Sequence, residues 1–106
     1  MPKYLMEARF TAEGLKGLQR DGGTARREVV RRAVESLGGT LESFHFAFGD
    51  IDTYTVADLP DNESAAALSV AVASSGALTS RIVVLLTPEA FDTVVQRSVA
   101  YTAPGA

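Results

Sequence analysis

The chain lacks cysteine entirely, and its 106 residues include one histidine, His45. The first absence excludes disulfide bonds, thiolate metal sites and cysteine nucleophiles. Long apolar runs are also missing, so no segment has the length of a membrane span. The N-terminus, MPKYLMEARF, lacks the basic region and apolar run of a secretory signal. We therefore expect a cytoplasmic protein that does not associate with membranes.

The sequence also lacks a strong excess of either charge, since its formal net charge is −3. This balance gives no global attraction to nucleic acid. The hydrophobic fraction of 46% and the charged fraction of 22% are typical of globular proteins. The length suits one domain. We expect a single domain over residues 1–98 and an irregular tail over residues 99–106.

Hydrophobic patterning predicts a strand followed by two helices in the first part of the chain. The segment KYLMEARF alternates, with Tyr4, Met6, Ala8 and Phe10 on one face. Thr11 is placed to cap a short helix, which Gly22-Gly23 ends. Thr24 is placed to cap a stronger helix over about residues 25–37, whose valines share one stripe.

The rest of the chain predicts a hairpin, a helix, a strand and a last helix. TLESFHFAF and IDTYTVADL read as strands joined by a turn at Gly49-Asp50, with Phe44, Phe46 and Phe48 toward the core. Asp61 or Asn62 caps the next helix, SRIVVLLT forms a strand, and Thr87-Pro88 begins the last helix. The order predicts an α+β, ferredoxin-like βαββαβ fold with an antiparallel four-stranded sheet and an extra C-terminal helix.

In this fold the helices cover one face of the sheet and leave the other face open. Alternation places both aliphatic and charged side chains on that open face, namely Leu5, Glu7, Arg9, Leu41, Ser43, His45, Tyr54, Arg81, Val83 and Leu85. A solvated face would carry fewer aliphatic groups, and a core would carry fewer charges. A homodimer in which two open faces meet accounts for both properties.

Several separated segments carry a family resemblance. The stretch from YLMEARF through DNESAAAL, continuing to LLTPE, resembles the GYD-domain proteins. Their Gly-x-Tyr-Asp-like signature reads Gly49-Asp50-Ile51-Asp52 here, so isoleucine replaces the tyrosine. The resemblance implies a fold similar to that of the dimeric α/β-barrel proteins. It adds no catalytic residue, and Ile51 offers no phenol for a role that needs one at this position. We expect no cofactor.

One candidate site lies on the open face. His45 and Tyr54 are the candidate catalytic pair, and Glu7, Arg9 and Arg81 are candidate ligand-binding residues. A histidine beside a carboxylate can move a proton for a small carbonyl or phenolic substrate without a cofactor. The alternative is structural, with Glu7 and Arg9 in cross-strand ion pairs and His45 satisfied at an interface.

A second candidate is the segment GGTARR, residues 22–27. Glycines before a helix N-terminus expose N–H groups that can hold an anion. Arg26 falls on the apolar stripe of the helix and must reach a partner. That partner is either an anionic ligand or a carboxylate of the same chain, such as Glu7 or Asp52.

Metal and nucleic-acid sites are not expected. Strand alternation separates His45 from Asp50, Asp52 and Asp58, and their spacing does not match a calcium loop. The arginines of the second helix alternate with glutamates and form no continuous basic stripe. The sequence therefore predicts a homodimeric small-molecule-binding or structural module. The alternatives are an enzyme that uses His45 as acid or base, and a subunit that binds another protein.

Overall fold

The structure, a computed structural model, describes residues 1–106. Its elements, in chain order, are β1 (Lys3–Phe10), α1 (Ala12–Asp21), α2 (Gly23–Ser36), β2 (Thr40–Phe46), β3 (Thr53–Asp58), α3 (Asn62–Ser74), β4 (Leu78–Leu85) and α4 (Pro88–Gln96). None of the helices combines the length and the apolar character that crossing a membrane requires.

The four strands form one antiparallel sheet in the order β2-β3-β1-β4. The predicted ferredoxin-like fold is confirmed. β1 lies in the interior of the sheet because both β3 and β4 pair with it. Helices α1 and α2 connect β1 to β2, which are not neighbours in the sheet. Helix α3 connects β3 to β4, which lie on opposite sides of β1.

The core lies between the helices and one face of the sheet. β1 contributes Tyr4 and Met6, α2 contributes Val34, which has no exposed surface, and α3 contributes Ala65 and Leu68. The buried faces of β1 and β3 therefore meet the inner stripes of α2 and α3, as period-two and helical patterns predict.

Three of the predicted helix caps are confirmed. The side chains of Thr11, Asp61 and Thr87 accept hydrogen bonds from backbone N–H groups in the first turns of α1, α3 and α4. The predicted cap at Thr24 is wrong, because α2 begins at Gly23 and Thr24 lies inside it. Gly22 alone separates α1 from α2, with a φ of 86° that suits glycine.

The hairpin between β2 and β3 keeps the predicted register but is shorter than predicted. His45 pairs with Tyr54 and Phe46 with Thr53, and residues 47–52 form the connecting loop. Phe48 lies in that loop and is fully exposed, so its predicted place in the core is wrong. Asp52 accepts a hydrogen bond from the Phe10 N–H at 2.8 Å and so ties the loop to the end of β1.

A β-bulge between Leu41 and Ser43 changes the faces of β2. Leu41 pairs with Ala57 on the helix-covered face, whereas Ser43 pairs with Val56 on the other face. The prediction that Leu41 lies on the open face is therefore wrong. The extra residue, Glu42, shifts the alternation by one position.

The C-terminal segment adds little to the core. α4 has no buried residue, and its apolar side chains Phe91, Val94 and Val95 are exposed. The chain measures 56 Å along its longest axis against 33 Å and 23 Å along the others. We call residues 86–101, which end with exposed Val99 and Tyr101, the C-terminal arm.

Candidate functional site

The strand register brings four of the candidate residues into one row across the sheet. His45 is opposite Tyr54, Tyr54 is opposite Glu7, and Glu7 is opposite Arg81. Residues that are directly opposite share a face and lie within side-chain reach. All four therefore lie on the face that the helices leave uncovered, and we call this row the polar row.

Glu7 and Arg81 form a cross-strand ion pair within the polar row. The Arg81 Nε–H donates to Glu7 Oε2 at 3.1 Å, and the same carboxylate oxygen also accepts from an Arg81 Nη2 hydrogen. The Glu7 side chain is 14% exposed and the Arg81 side chain 74% exposed. Arg9, opposite Thr79, is exposed and makes no ion pair. The ion pair thus orients Glu7 toward Arg81, and Arg9 keeps an unpaired guanidinium on the open face.

His45 and Tyr54 are both exposed in the single chain. No ion pair joins His45 to a carboxylate. A histidine that acts as a general base is usually oriented by a carboxylate. The carboxylate of the polar row, Glu7, is ion-paired with Arg81 instead. The chemical role of His45 and Tyr54 stays a prediction.

Beside the polar row lies a row of mainly apolar residues, Ser43, Val56, Leu5 and Val83. We call this the apolar row. On its far side Lys3 pairs with two carboxylates, Glu42 and Asp58, the latter at 3.0 Å. The hydrogen bonds that the Lys3 ammonium donates, first to Glu42 and then to Asp58, raise the pKa of Lys3. The Lys3 row contains Asp58, Lys3 and Leu85, and a further row pairs Arg9 with Thr79. These two rows, the polar row and the apolar row together make up the open face.

Arg26 lies on the other side of the sheet from the polar row. Its guanidinium carbon is 5.8 Å from the centre of the Phe10 ring, which is a cation–π contact. The predicted carboxylate partners are wrong, because Glu7 pairs with Arg81 and Asp52 caps the end of β1. Burial lowers the pKa of Arg26, although a guanidinium stays charged at neutral pH.

Arg26 lines two adjacent cavities on the helix side of the sheet. The outer cavity, about 620 Å³, lies between α1, the start of α2 and the turn before β4. The inner cavity, about 290 Å³, lies between α2 and α3 above the sheet. Both are lined by Arg26, Val29, Ser75, Ala77 and Leu78. We call the two cavities together the helix-side cleft.

Sequence reasoning did not find the helix-side cleft. The small residues that line the space are visible in the sequence, namely Ala71 of α3, Ser75 directly after α3, and Gly14 and Gly17 of α1. Small residues usually allow close packing, so their presence alone did not indicate a cavity. The candidate residues therefore divide into two groups, with Arg26 in the cleft and the other five on the open face.

No group of three or more histidine or carboxylate side chains is arranged to hold a metal ion. The comparison with protein-family models matches residues 4–95 to the family described as GYD domain. The comparison with curated proteins gives no match.

Proposed function

The chain belongs to the GYD domain family, and from this premise we propose that it works as a homodimeric small-molecule-binding module. Two copies join through their open faces, and each copy keeps its helix-side cleft free for a ligand. The observation that carries this proposal is the apolar row, which the single chain leaves uncovered between two charged rows.

The open face has the anatomy of a protein interface. Interfaces commonly place apolar side chains at the centre and polar groups at the rim. Here Val83, at the β4 end of the apolar row, is 39% exposed, and the Glu7–Arg81 and Lys3–Asp58 ion pairs lie on either side of that row. Burying the apolar row would stabilise a dimer at about 25 cal/mol for each Å² removed from water.

The charges of the open face suit a second copy of the same chain. A two-fold axis sets the same patch against itself, so a patch of one sign would repel its copy. The open face carries three cations and three anions, namely Lys3, Arg9, Arg81, Glu7, Glu42 and Asp58. Its balance of charge permits cation-to-anion contacts across the axis.

The size of the open face suggests that the C-terminal arm takes part as well. Four strands about 4.8 Å apart, with eight residues at about 3.3 Å each, cover roughly 500 Å² per copy. Two such faces bury roughly 1,000 Å², below the roughly 1,200–2,000 Å² of stable interfaces. The exposed side chains of Phe91, Val94 and Val95 offer the further apolar area that such a dimer needs.

A pair of lysine substitutions tests where the copies join. Val83→Lys places a charge in the apolar row of the open face, whereas Val70→Lys makes the same change at an exposed position of α3. Light scattering after size exclusion should give the dimer mass for the unaltered protein and for V70K. It should give the monomer mass for V83K.

A V83K protein that keeps the dimer mass would contradict the assignment of the interface to the open face. Circular dichroism of both variants checks that each is folded. Since both valines are already exposed, the monomer fold should tolerate either lysine.

A further inference from the structure

Arg26 is a partly buried cation without a counterion. Burial lowers its pKa, and no carboxylate lies within ion-pair distance of it. Its one close partner is the Phe10 ring. A charge that is partly removed from water and left unpaired destabilises a fold unless another group compensates it. An anion that entered the cleft would supply that compensation.

The other charged residues of the cleft are already paired. Arg20 contacts Asp21 at 3.2 Å, and Glu13 contacts Lys16 at 3.9 Å, all near the outer rim. Arg26 is therefore the one charged group of the cleft with no ion pair, and it lines both the outer and the inner cavity. The single unpaired cation suits a ligand with one negative charge. The carboxylates of Glu13 and Asp21 would repel a second negative charge on the ligand.

The inner cavity beyond Arg26 is apolar. Eleven of its fifteen lining residues are hydrophobic, and they include Met6, Val30, Phe44, Leu68 and Val72. Its volume of about 290 Å³ compares with the roughly 150 Å³ of an apolar cavity that holds one benzene ring. It has room for an aromatic ring together with a short chain.

We propose that the helix-side cleft binds an amphiphilic monocarboxylate, with its carboxylate on Arg26 and its apolar part in the inner cavity. The proposal rests on the small-molecule-binding function proposed above and names its ligand class. A guanidinium presents two parallel N–H groups that match the two oxygens of a carboxylate. The Phe10 ring contacts the guanidinium beside both cavities, so little ordering is left for the ligand to impose.

Calorimetry with a matched pair of probes tests the ligand class. 4-Phenylbutyrate carries the carboxylate, and 4-phenylbutan-1-ol has the same ring and chain without the charge. The unaltered protein should bind the acid at least about tenfold more tightly than the alcohol, since a charge-assisted pair is lost with the alcohol.

Three variants locate the site. Arg26→Gln should abolish the preference for the acid, while Arg32→Gln, a loss of charge at an exposed position of the same helix, should leave it unchanged. Ala71→Phe should weaken the binding of both probes at least tenfold, because the ring occupies the inner cavity that Ala71 lines. Circular dichroism confirms that each variant is folded.

Each contrary outcome has a defined meaning. Equal binding of acid and alcohol by the unaltered protein, or an acid preference that survives R26Q, overturns the ligand class and leaves small-molecule binding in place. Absence of binding by both probes at millimolar concentration overturns this proposal together with the small-molecule part of the proposed function. The light-scattering result for V83K is independent of either outcome.

Discussion

Replacing Gly14 with alanine tests how α1 is seated against the start of β4. A Cβ atom at Gly14 would lie 1.9 Å from the carbonyl oxygen of Ala77. That oxygen accepts hydrogen bonds from the Thr11 N–H at 2.9 Å and from the Thr11 hydroxyl at 3.1 Å. The carbonyl must move, and both bonds weaken. Gly14 and Ala77 both line the outer cavity, so the same contact sets one wall of the cleft.

Three contributions set the expected change in the free energy of unfolding of G14A. Overpacking costs about 2 kcal/mol, and the loss of two hydrogen bonds costs about 2 kcal/mol more. The greater helix propensity of alanine returns about 1 kcal/mol. We therefore expect G14A to lower the free energy of unfolding by about 3 kcal/mol. For a domain of this size, that corresponds to a fall in Tm of roughly 12–24 °C.

Urea unfolding followed by circular dichroism measures the effect, and Gly17→Ala is the matched control in the same helix. A Cβ atom at Gly17 would meet only the end of the flexible Arg20 side chain, at 3.7 Å. Gly17→Ala should leave stability unchanged or raise it by up to about 1 kcal/mol. Equal stability of the two variants would refute the close approach of α1 to β4.

Three further changes have defined outcomes. Asp61→Ala should lower the Tm at pH 7, because hydrogen bonds from the hydroxyl and N–H of Ser64 lower the pKa of the Asp61 carboxyl. The stabilisation is present above about pH 4 and is lost as the pH falls below the lowered pKa, so thermal scans of both proteins should converge in acid. In the monomeric V83K background, His45→Ala should change the free energy of unfolding by no more than about 0.5 kcal/mol, since His45 is exposed in the single chain; a larger loss in urea would show that His45 packs within the single chain. Phe48→Ser should be similarly neutral in the same assay, whereas a core phenylalanine would cost about 3–5 kcal/mol.

The parts of the fold that depend on local patterns were predictable from the sequence. The alternation of KYLMEARF predicts β1 with the bounds that the structure has, and Thr11 and Thr87 predict where α1 and α4 begin. The hairpin register, which places His45 opposite Tyr54, follows from a two-residue turn at Gly49-Asp50 even though the ladder ends earlier.

The wrong predictions lie where the secondary structure departs from the local sequence pattern. The alternation of phenylalanines reaches Phe48, two residues beyond the end of β2. The bulge at Glu42 has no glycine or proline to mark it, so the alternation gave the wrong face for Leu41. Gly22-Gly23 reads as a long break, yet a single residue with positive φ is enough to turn α1 into α2.

The two groups of candidate residues differ in how far the sequence could place them. Strand alternation assigns Glu7, Tyr54 and Arg81 to one face without knowledge of their neighbours. Helical angle places Arg26 on the inner stripe of α2, but its partner depends on the distance between α2 and the end of β1. The cleft depends on the separation of α2 from α3, which are far apart in the chain, and no local signal encodes it.

The central claim is that the open face joins two copies of the chain. Sedimentation equilibrium on the unaltered protein at micromolar concentration measures this most directly, because it gives the mass without a label or a substitution. We predict a mass of twice the 11.2 kDa of the single chain, falling toward 11.2 kDa only on dilution. A mass of 11.2 kDa at every concentration would contradict the claim.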